Sequence, residues 1–331
     1  MPFNYSIIIP VYNRPQEVEE LLISLTKQTF NADFEIVIVE DGSQITCQDS
    51  INKFKNNLRI QYYSKANSGP GLSRNFGMQK ASGNYFIILD SDVIVPEHYL
   101  TEVNRSLQNN FTDAYGGADA SHKSFSSLQK AINYSMTSLL TTGGIRGHKK
   151  LKRFQPRSFN MGLSKDAFES TGGFGAQHFG EDIDLTFRLW QNGYESQFIE
   201  KAFVYHKRRN TLASFFKQTF NFGAARPILN KQHPHTAKLT YWFPSLFVLG
   251  LLLSFVLYFF GLKWLLIGYG IYLIIIFLVS LFTNRNITVA IASILTTLLQ
   301  FFGYGLGFLQ SIIRLSILRK SKEQAFPRMF R

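Results

Sequence analysis

Short apolar runs separated by polar segments of helix length occupy the first part of the chain. Four of these runs are rich in β-branched and aromatic residues, which predicts strands. They are Tyr5–Val11, Phe34–Val39, Arg59–Tyr63 and Tyr85–Leu89. Because strands alternate with helix-length segments, we expect an α/β fold whose parallel sheet has right-handed crossovers and is buried on both faces.

Acidic residues follow two of the predicted strands. Asp41 comes soon after Phe34–Val39, and Asp90 and Asp92 come directly after Tyr85–Leu89. The carboxyl ends of parallel strands meet at one edge of a sheet, where open α/β sheets bind ligands. Two carboxylates there suit Mg²⁺ or Mn²⁺, and such an ion would bind a diphosphate. Alternatively, Asp-Ser-Asp forms a turn with solvated carboxylates.

A second acidic group lies further along the chain, between Gly180 and Trp190. Apolar residues recur there at helical spacing, so we predict a helix with acids in its first turn. Acids at a helix N-terminus are favourable for the macrodipole alone. Asp184 is expected to pair with Arg188 four residues on, which is a structural role.

An ordered set of short motifs resembles one enzyme family. The motifs are Ile9–Asn13, Glu40–Ser43, Asn67, Arg74–Gly77, Asp90–Asp92, Gly172–Phe174 and Gly180–Asp184. Each is weak alone, but together and in this order they resemble a family-2 glycosyltransferase of the GT-A fold, a Rossmann-like nucleotide-sugar domain, over residues 1–210. The resemblance implies a nucleotide-sugar donor, a divalent cation (Mn²⁺ or Mg²⁺) and inversion at the anomeric carbon.

The same resemblance implies which residues bind the donor. They are Pro10, Tyr12, Asn13, Glu40, Asp41, Asn67, Arg74, Asp90 and Ser91. Asp41 can accept a hydrogen bond from a pyrimidine N–H or a ribose hydroxyl, or it can cap the turn that Asp-Gly-Ser favours. Arg74 is expected near a helix start, where it meets phosphate, or else paired with a surface acid.

Metal and catalytic roles follow from the resemblance in the same way. Asp92 is the implied metal ligand, because the last Asp of the motif touches the ion in the family. His206 ends the strand-like Ala202–Tyr205 and is a second candidate ligand, although a lone histidine at a strand end is often no ligand. Asp182 matches the family's general base, which takes the proton of the acceptor hydroxyl.

A basic run lies between the metal motif and the predicted catalytic helix. Residues 143–157 contain Arg146 and Arg157 with further lysines and arginines, and no acid. One interpretation is a mobile lid over the diphosphate, and an equal one is attraction to anionic lipid headgroups. The candidate acceptor or lid residues are Arg146 and Arg157 of this run, together with Glu181 of the predicted catalytic helix.

Charge is distributed unevenly along the chain. The formal net charge is +13; residues 211–331 contain 12 basic and one acidic residue, and residues 1–210 contain 23 basic and 21 acidic. Nucleic-acid binding is disfavoured, because no aromatic–basic recognition module is visible. The excess charge instead flanks three uncharged segments, 240–262, 264–284 and 286–313, each long enough to cross a bilayer. We predict a transmembrane region over 240–315 and a basic tail over 316–331.

The segment between the two parts is predicted to be an interfacial amphipathic helix over residues 211–235. Phe215, Phe216 and Phe220 offer an apolar surface, with lysines and arginines nearby. Arg226-Pro227 is expected to end or kink this helix.

Membrane topology is open at this point. Three crossings would export the basic tail, against the positive-inside tendency, whereas a re-entrant or interfacial third segment would keep the tail inside. No secretory leader precedes the first strand, so the catalytic domain is expected to stay in the cytoplasm, and the single Cys47 fits a reducing compartment.

The sequence therefore predicts a membrane-anchored, metal-dependent, inverting glycosyltransferase. It would move one sugar from a UDP-linked donor to a lipid-linked or membrane-proximal acceptor in cell-envelope or extracellular polysaccharide synthesis. Single addition is favoured because Gln-x-x-Arg-Trp, which processive relatives carry, is absent from the sequence. The alternatives are a polyprenyl-phosphate sugar synthase and, in another class, a non-catalytic nucleotide-sugar-binding membrane scaffold.

Overall fold

The chain folds into two compact units that interrupt each other in sequence. The computed structural model describes residues 3–120, 122, 124–143 and 154–330. The first unit comprises Met1–His122, Gly147–Lys207 and Arg328–Arg331, and the second comprises Lys123–Arg146 and Arg208–Pro327. The sequence had predicted an unbroken catalytic domain over residues 1–210, so both the insertion near residue 123 and the return at residue 328 are new features.

Strands and helices are numbered in chain order. The strands are β1 Tyr5–Val11, β2 Phe34–Asp41, β3 Arg59–Lys65, β4 Tyr85–Leu89, β5 Val93–Ile94, β6 Ala114–Ala120, β7 Asn160–Ser164 and β8 Ser196–His206. The α-helices are α1 Pro15–Leu25, α2 Gln48–Asn52, α3 Pro70–Lys80, α4 Tyr99–Asn109, α5 Ser127–Thr137, α6 Leu139–Thr142, α7 Lys165–Thr171, α8 Glu181–Gln191, α9 Leu212–Gln232, α10 Phe243–Phe259, α11 Trp264–Asn284, α12 Ile287–Ile312 and α13 Lys322–Ala325.

The first unit is built on one eight-stranded sheet of order β3-β2-β1-β4-β7-β6-β8-β5. The pairs β1–β2, β1–β4 and β2–β3 are parallel, as the alternation of strands and helices predicts. β7 then pairs antiparallel with both β4 and β6, which makes the whole sheet mixed. The strand β7 was not predicted, because the polar Asn160 and the glycine within Asn160–Ser164 give it no apolar strand pattern.

Both faces of the sheet are covered by apolar packing. Alternate residues of β1 point to opposite faces: Ile7 packs in a cluster with Leu21 of α1, and Ile8 packs in another with Met78 of α3. A strand buried on both sides needs a continuous apolar run, which is why β1 and β4 were recognisable in the sequence. The rim at the carboxyl ends of these strands carries the polar side chains.

The second unit is helical and contains the apolar segments. Leu239–Phe259, Trp264–Asn284 and Ile287–Ile317 are long and apolar enough to cross a membrane, as the sequence predicts. α10 and α11 form a hairpin whose outward side chains, such as Leu252 and Ile274, are apolar and exposed. A surface of this kind is suited to lipid.

α12 is packed differently from the hairpin, because it lies against α9, α5, α10 and α11. Its contact with α9 is close, since a Cβ added at Gly303 would lie 2.1 Å from Thr219 Oγ1 and one added at Gly307 would lie 2.1 Å from Phe220 O. Small residues let the two helix backbones approach in this way.

α9 differs from the predicted interfacial helix in two respects. It continues through Pro227 to Gln232, so Pro227 does not end it. Phe215, expected to face the headgroups, is fully buried in a cluster with Ile132 and Met136 of α5. Part of the apolar surface of α9 is therefore covered by protein.

Candidate functional site

Two carboxylates and one imidazole come together at the rim of the sheet. Asp90 and Asp92 follow β4, and the antiparallel pairing of β5 with β8 places Val93 opposite His206. One ligand atom from each of Asp90, Asp92 and His206 lies within 4.8 Å of the others. The His206 ring is stacked on Phe159 with centroids 4.6 Å apart, and its Nε2 lies 3.4 Å from Asp92 Oδ1.

The chemistry of this group fits a divalent cation. Carboxylate oxygens suit Mn²⁺ and Mg²⁺ alike, and an added imidazole favours the softer Mn²⁺. Each carboxylate also meets an arginine: Arg14 Nη1 lies 2.8 Å from Asp92 Oδ2, and Arg74 Nη2 lies 2.7 Å from Asp90 Oδ1. Arg14 was missed in the sequence, although its place directly after the β1 motif and before Pro15 puts it at the same rim.

Arg74 is a buried link between the two acidic motifs. Only 3% of the residue is exposed, and its guanidinium bonds Asp90 on one side and Glu181, at 3.1 Å, on the other. It also lies over the Phe174 ring, 5.2 Å from the centroid. Of the two expectations for Arg74, these contacts favour pairing with an acid, and the pair with Glu181 is buried rather than at the surface.

Asp182 lies in the first turn of α8, close to Arg157, which precedes β7 in the chain. Its Oδ1 accepts from the Ile183 N–H at 2.8 Å, and Arg157 Nη1 lies 3.8 Å from the same carboxylate. Arg157 and Asp182 are thus brought together, whereas Arg146 lies outside the described residues. Asp184 pairs with Arg188 at 2.9 Å, which confirms its predicted structural role.

Glu181 is buried beside these charges. Burial raises the pKa of Glu181 to about 8; the neighbouring Asp182 adds to the rise and Arg74 opposes it. A carboxyl whose pKa is raised in this way keeps its proton to higher pH than a free one, and its protonated form donates a hydrogen bond as well as accepting one.

Asp41 holds the loop that enters α3. Its Oδ1 accepts from the Ser68 N–H and its Oδ2 from the Gly69 N–H, both at 2.9 Å, and Lys65 Nζ donates to Oδ1 as well. Asn67 Nδ2 donates to the Asp41 carbonyl at 2.8 Å. Of the two interpretations left open by the sequence, capping of the loop is the one these contacts favour.

Glu40 does not reach the rim with the other candidates. It is fully buried, and its carboxylate accepts from Ser43 Oγ, from Cys47 N at 2.8 Å and from Cys47 Sγ at 3.0 Å. Tyr62 Oη also donates to this carboxylate, at 3.3 Å. A group satisfied in the interior by four donors is not available to a donor nucleotide, so its assigned role is corrected to that of holding the loop after β2. Burial and this carboxylate raise the pKa of the Cys47 thiol.

The remaining candidates surround the end of β1. Asn13 has φ of +54° and its Oδ1 accepts from Gln44 N and Ile45 N, which ties the β1 turn to the loop after β2. Tyr12 is 52% exposed, Pro10 is half-buried and Ser91 is buried. Of these, Tyr12 offers the largest accessible side chain to a ligand.

Loss of the buried Arg74 guanidinium should destabilise the protein. We expect Arg74→Gln to lower the free energy of unfolding by about 2 kcal/mol, since it removes the charged hydrogen-bond donor that Asp90 and Glu181 share. Thermal melting in detergent measures the loss. Arg105→Gln is the matched control: it breaks an exposed pair with Glu102, worth at most about 1 kcal/mol. Equal melting shifts for the two variants would contradict the prediction.

Stability should depend on the protonation of Glu181. Its pKa is raised from 4.5 to about 8 by folding, so its contribution is fully present below about pH 4.5 and is lost as the pH rises through about 8. Glu181→Gln stays neutral, so the melting temperature of the wild type should fall relative to that variant between these two values. Parallel melting profiles would refute the assignment, and the exposed Glu195→Gln controls for removal of a surface acid.

Comparison with known proteins identifies relatives. The family model described as "Glycosyl transferase family 2" matches residues 6–175. An uncharacterized glycosyltransferase of Rickettsia bellii is 42% identical over 87 residues, which are 26% of this chain and 12% of that protein. The poly(ribitol-phosphate) beta-N-acetylglucosaminyltransferase TarS of Staphylococcus aureus is 31% identical over 112 residues, which are 33% of this chain and 20% of that protein. The chain thus spans a small part of the length of these relatives.

One solved structure shares the fold over most of the chain. It is the mannosyltransferase PcManGT from Pyrobaculum calidifontis in complex with GDP-Man and Mn²⁺, with a TM-score of 0.53 and 16% identity. The similarity covers 69% of this chain and 65% of that chain. The predicted GT-A fold, followed by helices apolar enough to span a membrane, is confirmed.

Proposed function

Because the chain belongs to glycosyl transferase family 2, we propose that it moves one sugar from a nucleotide sugar, UDP-linked, to a lipid-linked or membrane-proximal acceptor with inversion at the anomeric carbon. The product would serve cell-envelope or extracellular polysaccharide synthesis. The observation that carries this proposal is the link through Arg74, which joins the metal-suited Asp90 to Glu181 and so to the neighbouring Asp182 within one unit.

The residues at the rim of the sheet stabilise the negative charge of the leaving group. Asp92, Asp90 and His206 would hold Mn²⁺ or Mg²⁺, which when bound supplies Lewis-acid neutralisation of the departing diphosphate. Arg14, beside Asp92, offers a second positive charge at the same place. Together these residues favour cleavage of the bond between the anomeric carbon and the diphosphate oxygen.

Asp182 serves as the general base. A carboxylate oxygen takes the proton of the acceptor hydroxyl while the hydroxyl oxygen bonds to the anomeric carbon, and the electron pair of the broken bond stays on the nucleoside diphosphate. Arg157, 3.8 Å from Asp182, is suited to orient that carboxylate. Attack opposite the leaving group inverts the configuration.

The nucleotide is bound by the loops after β1 and β2. The exposed ring of Tyr12 can stack on the base, a contact every base can make. Asp41 acts through the loop that it caps, because its oxygens accept from Ser68 and Gly69. Asn67 lies on that loop and is exposed.

The apolar helices favour a lipid-linked or membrane-proximal acceptor. Three segments suited to a bilayer, with basic residues around them, favour an integral protein of the inner or plasma membrane. We infer that the catalytic unit faces the cytoplasm, where nucleotide sugars are made, and Cys47 as the single cysteine agrees with a reducing compartment. An acceptor carried on a lipid suits an enzyme that is anchored in this way.

A donor and acceptor screen tests the proposal. Full-length protein in detergent is incubated with Mn²⁺ and a panel of UDP- and GDP-sugars, and release of nucleoside diphosphate is measured. One donor should be turned over, with Asp182→Asn as the inactive control. Faster release with a polyprenyl phosphate than with a lipid-linked saccharide would identify the polyprenyl-phosphate sugar synthase instead. Binding of a donor without any release would indicate a non-catalytic scaffold.

A further inference from the structure

The segment Arg328–Phe330, here called the carboxyl segment, belongs to the first unit although it follows the apolar helices in sequence. Met329 is 5% exposed, and its carbonyl accepts a 2.8 Å hydrogen bond from the His178 N–H. The segment is thus packed as part of the catalytic unit, although the sequence had suggested only a basic tail.

The loop that the carboxyl segment holds touches both halves of the site. The His178 ring fills the space beside Gly69, because a Cβ at Gly69 would lie 2.3 Å from His178 Nε2. Gly69 donates to Asp41, and Gly180, two residues after His178, caps the helix α8 that carries Asp182. A displacement of this loop would therefore move the donor loop and the catalytic base together.

We propose that the carboxyl segment positions the transferase site, and that only α10 and α11 cross the bilayer so that this segment stays on the catalytic side. The positioning role rests on the function proposed above for Asp182, whereas the topology does not. A segment that is part of the catalytic unit cannot lie across the membrane from it.

The end of α12 agrees with this topology. After α12 the chain turns back at Arg319, whose φ is +51°, and Arg314 then bonds the Ala325 carbonyl and lies 5.3 Å from the centre of the Phe326 ring. Two residues lie between Phe326 and Met329, so the three Cα-to-Cα steps that join them span at most about 11 Å. That length is far less than the roughly 30 Å of bilayer hydrocarbon.

The contacts of α12 with the hairpin involve the start of α10 and reach Tyr272 of α11, whose ring centroid lies 6.4 Å from that of Phe301. Phe301 packs on Phe243 and Phe247, at the start of α10, and Phe308 packs on Trp242 just before that helix. The opposite end of the hairpin is exposed, with Phe259 85% and Trp264 82% accessible. The tip of the hairpin therefore extends beyond its contacts with α12, and the buried hydroxyl groups of α12 find partners in the protein.

α12 has four buried hydroxyl side chains, against two in α10 and one in α11. Thr296 bonds Ser135 of α5 at 2.6 Å, and Ser293 bonds Ser280 of α11 at 2.8 Å. With two crossings the basic residues after α12 face the same leaflet as the catalytic unit, which satisfies the positive-inside tendency that three crossings would violate.

Cysteine labelling tests the topology without reference to activity. Single cysteines at exposed positions are introduced as Lys55→Cys in the catalytic unit, Phe260→Cys at the hairpin tip and Lys320→Cys after α12, with wild type as blank because Cys47 is buried. In sealed vesicles an impermeant maleimide should label Lys320→Cys and Lys55→Cys from the same side of the membrane. It should label Phe260→Cys only from the opposite side. Labelling of Lys320→Cys together with Phe260→Cys would overturn the proposal.

Substitution of Met329 tests positioning. Met329→Asp puts a charge in a buried place and should lower kcat about tenfold or more, with a raised KM for the donor, because small misplacements of reacting groups are costly. Met329→Leu keeps an apolar side chain and should restore both values, and Arg328→Gln at the exposed neighbour should change neither.

A purely structural role has a different signature. It would lower the melting temperature of Met329→Asp while kcat stays at the wild-type value, and that result would overturn the positioning role. If Met329→Asp does not fold, Met329→Gln is measured in its place with the same two outcomes. Absence of turnover of any nucleotide sugar by the wild type would refute the proposed function instead, and the labelling result would still stand.

Discussion

Asp182→Asn is expected to cut turnover by about 10²-fold or more while donor affinity stays near that of the wild type. The amide keeps the size of the side chain but cannot take the proton of an acceptor hydroxyl. Asp182 lies at the first turn of α8, apart from the Asp90–Asp92–His206 group, so donor and metal binding should persist.

Rate and affinity must be measured on the same preparation. Calorimetric titration with the donor gives the affinity, and nucleoside diphosphate release gives the rate. Asp184→Asn is the matched control, because Asp184 is two residues away on the same helix and pairs with Arg188. It should lose some stability and keep its rate. A collapse of donor binding in step with the rate of Asp182→Asn would make Asp182 a donor residue.

Asp92→Asn is expected to lower transfer about 10²-fold or more and to weaken donor binding. An uncharged amide is a poorer ligand for a hard cation, and loss of the cation removes several kcal/mol of charge stabilisation at the leaving group. Excess EDTA should have the same effect on the wild type, with Mn²⁺ restoring activity.

The control separates metal loss from a general effect of removing an acid. Asp166→Asn alters an exposed acid in the first turn of α7 and should behave like wild type with and without EDTA. Calorimetric titration of the apoprotein with Mn²⁺ gives a readout besides activity. Full activity of Asp92→Asn in EDTA would show that the rim acids serve another purpose.

Much of the first unit could be predicted from local patterns. β1, β2 and β4 are apolar runs buried on both faces, and α8 shows helical spacing with a side-chain pair at i,i+4, so these elements follow from residues close in sequence. The rim acids could be predicted too, because the carboxyl ends of parallel strands share one edge.

The errors concern partners that are distant in sequence. Glu40 and Arg74 occupy motif positions, yet one is turned into the interior and the other is enclosed by Asp90, Glu181 and Phe174. A motif gives the type of residue and its place along the chain, but not which donors surround it. Arg14 was missed for the same reason, because its partner Asp92 is 78 residues away in the sequence.

The interleaving of the two units has a consequence for biosynthesis. α5 is made early, yet its Ser135 bonds Thr296, 161 residues later, so the helical unit cannot close until most of the chain has left the ribosome. The catalytic unit likewise waits for residue 329, which is made after α10, α11 and α12 and whose carbonyl accepts from the His178 N–H. Domains of nascent chains usually fold in order from the N-terminus. In the two-crossing topology proposed above, membrane insertion would precede completion of the catalytic unit, so a chain that fails to insert should also fail to mature as a catalyst.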